Sequence, residues 1–181
     1  MDSLAGKLLV ASRRLGDPNF TRSVVLLIHH DSRGALGLVL NRAGAERLEV
    51  TRDGDDGRRE EVVVMTGGPL EGPLTALHAD PDNSERELIP GVHFAAGPPL
   101  VDTLLAAARP PLRVFRGYSG WGGGQLEKEL AAGAWAVADA SAELVFGDDS
   151  SLWRRASRRA FDAFLAACLR VRHVPPQPWH N

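Results

Sequence analysis

Segment 117–129 combines five glycines, two aromatic residues and a Gln-Leu-Glu sequence directly ahead of a helical pattern. Glycine permits positive φ angles and close backbone approach, at an entropic cost that a featureless loop would avoid. We therefore predict a shaped glycine-rich turn that places Trp121. A structural turn holding Trp121 against a sheet is preferred to a ligand-binding loop, because the segment has neither a P-loop lysine nor the glycine spacing of a dinucleotide site.

A short helix is predicted over residues 125–132. Gly124 would cap its start, and the Glu127 carboxylate would reach back to the cap amide. Gly133 would end it in the left-handed conformation.

Apolar runs predict strands through most of the chain. Residues 23–29 form a continuous β-branched and leucine run, typical of a strand covered on both faces. The run at 36–41 follows after a short turn, which predicts an antiparallel hairpin. The other predicted strands are 7–12, 61–65, 74–78, 91–95, 112–118 and two segments around Trp135 and Leu144.

Polar segments predict turns and excursions. Asp17 and Asn19 flank a proline, which fixes φ while their side chains bond nearby backbone. Residues 43–60, rich in charged residues and glycine, are interpreted as a surface excursion. Residues 80–87 are interpreted as a polar connection between strands.

Two longer helices are predicted, over 99–108 and about 152–170. One stripe of the second helix is predicted to face the core, which would make Cys168 an inert core thiol. The stripe consists of Trp153, Ala160, Phe161, Phe164, Leu165 and Cys168. Three prolines in residues 174–179 predict an extended tail.

A chain of 181 residues fits one domain, spanning residues 1–181. The net charge of -2 gives no strong global attraction to nucleic acid or to anionic membranes. One cysteine excludes an intramolecular disulfide, and the first residues lack the regions of a signal peptide. We expect a cytoplasmic protein without membrane association. Strands precede helices without regular alternation, which favours the α+β class.

Five motifs, in this order, resemble the YqgE/AlgH family of bacterial proteins. They are LAGKLLVA at 4–11, DPNFTRSVV at 17–25, GALGLVLNR at 34–42, GGP at 67–69 and GWGGGQLE at 120–127. The chain departs from the family at Ala43 and Gly123, where proline is common. The resemblance covers nearly the whole chain. It implies a single α+β domain with a strongly bent, mostly antiparallel sheet flanked by helices and closed by a C-terminal amphipathic helix. Some members carry the label of transcriptional regulator, from an association with alginate production, but the family offers no cofactor and no catalytic residue to carry over.

We predict that loops at strand ends converge on one ligand or partner surface, because function often lies on loops held by a rigid scaffold. The candidate residues are Asp17, Asn19, Phe20, Asn41, Gly67, Gly68, Pro69, Tyr118, Gly120, Trp121, Gly122, Gln125 and Glu127.

No catalytic residue and no metal site is predicted. His29 and His30 are adjacent on a strand, so their side chains point to opposite faces and do not easily share one metal ion. The sequence around Ser119 does not complete the G-x-S-x-G motif of a nucleophile elbow, because Trp121 stands two residues after the serine where the motif requires glycine.

The leading hypothesis is a non-enzymatic accessory or regulatory protein that binds an unknown protein partner and needs no cofactor. The alternative is a small-molecule binder or enzyme, using a nucleotide or phosphorylated ligand on the same surface. Direct DNA binding is the third hypothesis, although a solvated helix face is the simpler interpretation of its arginines. These are Arg154, Arg155, Arg158 and Arg159.

Overall fold

One sheet organises the chain in the computed structural model, which describes residues 3–51, 59–107 and 109–169. Within these ranges the strands are β1 (Lys7–Ala11), β2 (Val24–Asp31), β3 (Gly34–Val39), β4 (Ala43–Thr51), β5 (Arg59–Thr66), β6 (Leu70–His78), β7 (Arg86–Ile89), β8 (Val92–Ala96), β9 (Leu112–Gly122) and β10 (Trp135–Asp139). The helices are α1 (Pro98–Ala107), α2 (Gln125–Ala131), α3 (Ala142–Val145) and α4 (Asp149–Leu169).

The strands follow the spatial order β10-β1-β2-β3-β9-β6-β8-β7, and neighbours along this path are antiparallel. Strand β5 pairs with β9 in parallel, and β4 pairs with β5. The sheet curls into a half-barrel. The predicted α+β fold, the bent antiparallel sheet and the β2–β3 hairpin are all confirmed.

Side chains alternate between the two faces of the sheet because successive strand residues point in opposite directions. Leu8 and Val10 of β1 contribute to one core cluster, and Leu9 contributes to another. We call the first core the inner cluster, centred on Phe115, and the second the outer cluster, centred on Trp121. Helix α4 packs onto the inner cluster and α2 onto the outer one, so both faces of β2 are buried, as predicted.

Most of the predicted glycine-rich turn is strand. Strand β9 continues to Gly122, with Trp121 opposite Ala35 and Gly120 opposite Leu36. Pairing with β3 supplies hydrogen-bond partners for the backbone of these residues. An argument from the low strand propensity of glycine does not predict this pairing.

Three other predictions about local structure were wrong. Residues Ala43–Thr51 of the proposed surface excursion form β4, and positions 52–58 lie outside the described residues. Strand β7 takes up the last two residues of the predicted polar connection at 80–87 and continues to Ile89. Leu144 belongs to helix α3 rather than a strand, because Ser141 caps that helix and accepts a hydrogen bond from the Leu144 amide.

The predicted core stripe of α4 was also wrong in part. Leu152, Ala156 and Ala160 are the residues that enter the core. Phe161 and Phe164 are 58% and 62% exposed, and Cys168 is exposed rather than a core thiol. The side of the helix that carries Leu152 packs on the inner cluster, and Phe161 lies about 180° around the helix from Leu152. The predicted extended tail at 174–179 lies outside the described residues.

Candidate functional site

Three aromatic rings meet on the outer face of the sheet. Phe20 lies 6.2 Å from Trp121 and 5.4 Å from Trp135, measured between ring centroids, and the two tryptophans are 6.0 Å apart. We call these three residues the aromatic triad. Trp121 is 6% exposed, so the indole predicted to be the centre of a surface is buried.

One carboxylate holds both tryptophans of the triad. Oε2 of Glu129 accepts hydrogen bonds from Trp121 Nε1 at 2.9 Å and from Trp135 Nε1 at 2.8 Å. Its other oxygen accepts from Gln125 Nε2 at 3.0 Å. Each partly buried indole N–H thus has an acceptor, which such groups need. The predicted site list missed Glu129; an acid one turn after Gln125 on the same helix face was the available signal.

Backbone geometry positions Glu129 at the end of a short helix. The Gly133 amide donates to Leu130 O and the Ala134 amide donates to Glu129 O, with Gly133 at φ +71°. This Schellman arrangement confirms the predicted C-terminal glycine. At the other end, Gln125 Oε1 accepts from the Gly122 amide at 3.1 Å.

Glu127 does not make the predicted capping contact. Its Oε1 instead lies 2.9 Å from Nε2 of His30, which is buried on β2. Nδ1 of the same ring accepts from the Leu4 amide at 3.0 Å, so the Nε2 proton is available to donate to Glu127. The hydrogen bond from the Glu127 amide and the bond from His30 lower the pKa of the Glu127 carboxyl. The pair links α2 to the N-terminal segment.

The loop between β1 and β2 carries three more predicted residues. Asp17 Oδ1 accepts from the Asn19 amide at 2.8 Å, which confirms the predicted side-chain turn. Asn41 ties the loop to the sheet, since its Oδ1 accepts from the Val24 amide and its Nδ2 donates to Arg22 O. Phe20 lies in this loop and reaches the triad.

The remaining predicted residues form a second group, in which the connection between β5 and β6 at 67–69 lies against β9. Gly67 O accepts from the Val39 amide, and Gly68 lies against the backbone of Tyr118, where an added Cβ would come within 2.3 Å of the Tyr118 carbonyl. A Cβ on Gly120 would meet Leu70 Cδ1 at 2.9 Å. Close backbone packing therefore explains the glycines at 67 and 68, whereas Gly120 lies against a leucine side chain that can move.

The predicted surface is thus split by the sheet. Tyr118 packs against the inner cluster, whereas Trp121 belongs to the outer one. Gly68 and Pro69 line a shallow groove of 240 Å³, where Arg116 and Glu46 are bonded to each other at 2.6 and 2.7 Å. Among the described residues, no three His, Cys, Asp or Glu side chains converge to hold a metal ion.

A larger groove, of 960 Å³, lies between α4 and the ends of β1 and β10. Trp135 of the triad contributes to its wall, with Phe161 and Phe164 from α4. Sequence reasoning missed it because it assigned both phenylalanines to the core. A helical projection contains the signal, since Phe161 lies about 180° around the helix from Leu152 at 100° per residue.

Two of the four arginines of the DNA-binding hypothesis bond to other side chains of the protein. Arg155 bonds to Glu143 Oε1 at 2.5 Å, and Arg159 donates to Ser141 Oγ at 3.4 Å. Arg154 lines the large groove. In the part of the chain that is described, no helix is both long and apolar enough to cross a bilayer.

Comparison with known proteins gives a consistent result. The family model described as AlgH-like (DUF179) matches residues 8–163. A UPF0301 protein of Myxococcus xanthus is 41% identical over 161 residues, covering 84% of this chain and 88% of that protein. One from Streptomyces coelicolor is 43% identical over 175 residues, covering 88% of each.

Two solved structures share the fold. The solution structure of the AlgH protein from Pseudomonas aeruginosa, another UPF0301 protein, superposes with a TM-score of 0.62 at 24% identity, covering 99% of this chain and 96% of that one. A crystal structure of a Corynebacterium diphtheriae protein gives 0.64 at 20% identity, covering 98% and 90%. On the family match and the two curated relatives, this chain belongs to the AlgH-like family.

Proposed function

We propose that the chain is a non-enzymatic accessory protein of the cytoplasm that acts by binding a protein partner in the large groove between α4 and β10. The observation that carries this proposal is the exposure of Phe161 and Phe164, at 58% and 62%, on the wall of one apolar groove. Large aromatic side chains are enriched at the centres of protein interfaces, where they fill pockets on the partner.

The opposite wall of the groove is rigid. Trp135 is packed against Phe20 and Trp121, and its indole N–H is bonded to Glu129. A wall fixed in this way loses little conformational freedom when a partner binds, which favours affinity. Trp121, predicted to be the centre of the surface, thus has an indirect role, because it packs against Trp135 and not against the partner.

Charge defines the partner's chemistry. Among the described residues, the charged ones that line the groove are Arg13 and Arg154, and both are cations. A matching segment therefore carries apolar side chains for the phenylalanines and carboxylates for the two guanidinium groups. We assign the groove to an apolar protein segment flanked by acidic residues.

Site-specific photocrosslinking tests this assignment. A benzophenone side chain is introduced in place of Phe164, and in a matched control in place of Asp162, which is exposed on the same helix but does not line the groove. Both proteins are irradiated in native lysate, the crosslinked peptides are sequenced, and the captured protein is purified and titrated against the unmodified chain. We expect one acidic-flanked apolar segment at position 164 and not at 162, and saturable binding of the purified protein.

Three outcomes contradict the proposal. Crosslinks confined to residues 170–181 of the same chain would mean that its own tail occupies the groove. Crosslinks to a second copy would make the face a homodimer contact. Equal yields at positions 164 and 162 would mean that the groove selects no occupant.

A further inference from the structure

A second, smaller cleft lies beside the loop that joins β1 to β2. It has a volume of 370 Å³ and is lined by Ser12, Arg13, Leu15, Thr21, Arg22 and Trp153. This cleft contains none of the residues predicted from sequence to form a site.

Two guanidinium groups converge on one indole in this cleft. Cζ of Arg13 lies 6.0 Å from the Trp153 ring centroid, and Cζ of Arg22 lies 5.9 Å from it. The ring is fixed, because Trp153 Nε1 donates to Ala11 O at 2.9 Å. Cation–π contacts hold the guanidinium planes near the aromatic face but leave their N–H donors available.

No carboxylate among the described residues forms an ion pair with Arg13 or Arg22. A third cation is close by, since Arg42 donates to Pro18 O and Thr21 O of the same loop, both at 3.3 Å. Asp17 is the one acid within residues 12–22, and its Oδ1 accepts from the Asn19 amide. The cleft therefore has an excess of positive charge.

The cleft also contains a buried hydroxyl without a partner. Ser12 Oγ is inaccessible to solvent and makes no hydrogen bond. A buried polar atom without a partner costs free energy, so native proteins usually satisfy it, in some sites with a ligand or water.

Backbone strain is concentrated at the same place. Arg22 is the one non-glycine residue in the described ranges with a left-handed φ, at +53°. The Asn41 amide holds this conformation through its bond to Arg22 O at 2.9 Å. Strained residues of this kind often occur at ligand clamps.

From these observations we propose that the cleft binds a phosphate group, held by the guanidinium groups of Arg13 and Arg22 and by the hydroxyl of Ser12, which reaches the phosphate only after its side chain rotates out of its buried position. A phosphate offers several acceptor oxygens, enough for two guanidinium forks and a hydroxyl together, whereas a carboxylate offers two. The site takes free phosphate or a phosphorylated small molecule. The cleft shares Ser12, Arg13 and Trp153 with the large groove, whereas Leu15, Thr21 and Arg22 line the cleft alone, so phosphate binding is measured without a protein partner.

Nuclear magnetic resonance titration of the full chain with inorganic phosphate tests the site. Acetate and chloride titrations at matched ionic strength are the reference arms, and phenyl phosphate represents a phosphorylated small molecule. We expect saturable shifts at the Trp153 indole and the Ser12 and Arg22 amides, with the Trp121 and Trp135 indoles unchanged and acetate weaker than phosphate.

Arg13→Gln and Arg22→Gln are each expected to weaken phosphate binding about tenfold or more, the effect of losing one charge-assisted hydrogen bond. Arg14→Gln is the matched control, an exposed neighbour that does not line the cleft, and should bind like the wild type. Unsaturable shifts, equal shifts with chloride, or unchanged binding in the Arg13→Gln/Arg22→Gln double variant would overturn the proposal. The map of shifted resonances in the wild type decides the matter even if a variant proves unstable.

Discussion

The indole N–H of Trp121 donates to Oε2 of Glu129 over 2.9 Å, joining the end of β9 to helix α2. Trp135 donates to the same oxygen from β10. One acceptor on a seven-residue helix thus connects strands from two parts of the sheet. Both indoles lie in the outer cluster, where water does not replace a lost acceptor easily.

Glu129→Ala is therefore expected to destabilise the protein by about 2 kcal/mol or more, because two partly buried donors lose their acceptor. Glu129→Gln keeps a carbonyl oxygen and should cost about half as much. Urea unfolding followed by far-ultraviolet circular dichroism measures both. Lys128→Ala, at an exposed position on the same helix, is the matched control. A Glu129→Ala protein as stable as this control would show that the shared acceptor does not stabilise the fold.

Gly68→Ala tests the interpretation of Gly68 as a site of close backbone packing. An added methyl group would lie 2.3 Å from the Tyr118 backbone, and φ at this position is +157°. We expect a loss of stability on the order of 2 kcal/mol, as for overpacked sites. Gly16→Ala is the control, because a Cβ there meets nothing within 4 Å. Equal midpoints of thermal unfolding for the two variants would contradict the packing explanation.

His78 predicts a dependence of stability on pH. Its side chain is 1% exposed, and burial lowers its pKa below 6.5, with a further contribution from His93. As the pH falls below about 6.5, the unfolded chain binds a proton at His78 that the folded chain does not, so stability declines. Above that pH, the full contribution of neutral His78 to the free energy of unfolding is present.

Urea unfolding at pH 7.5 and pH 5.5 checks this expectation. The free energy of unfolding of His78→Asn should differ less between the two pH values than that of the wild type. Any loss of packing in this variant lowers its stability at both pH values and does not affect the difference. An unchanged difference in His78→Asn would assign the titration to another group.

The sequence allowed the elements with strong local signals to be predicted. The apolar run of β2 and the hairpin to β3 follow from periodicity and turn chemistry. Gly133 and the Asp17 turn follow from single residues with one dominant conformational use. Each of these signals lies within a few residues of the element that it predicts.

Long-range pairing explains what could not be predicted. Residues Ala43–Thr51 are polar enough for a loop, yet they form β4 because β5 offers a partner. Gly120 and Gly122 lie in a strand because β3 supplies its edge. Local propensity is overridden where a neighbouring strand satisfies the backbone.

The candidate site shows the same limit. Contacts between Phe20 and Trp121 depend on the loop at 12–22 crossing to the end of β9, which no local pattern encodes. The exposure of Phe164 depends on how α4 packs against the sheet, with Leu152 and Ala156 rather than Phe164 in the core. Both are properties of the assembled fold rather than of any one segment.

A variant at Phe161 and Phe164 can test partner binding without disturbing the fold, because both side chains are largely exposed and contribute little to the core. We expect the Phe161→Ser/Phe164→Ser variant to keep the wild-type free energy of unfolding within about 0.5 kcal/mol, as surface substitutions usually do. Its stability must be measured first, by urea unfolding.

The most direct test of partner binding is then the dissociation constant of the crosslink-identified partner, measured by calorimetry for the wild type and for this folded variant. We predict a loss of affinity of about 30-fold or more, the effect of removing one or two aromatic hot-spot residues. An Asp162→Ala control should bind like the wild type. Equal dissociation constants for the wild type and the double variant would contradict the assignment of the groove.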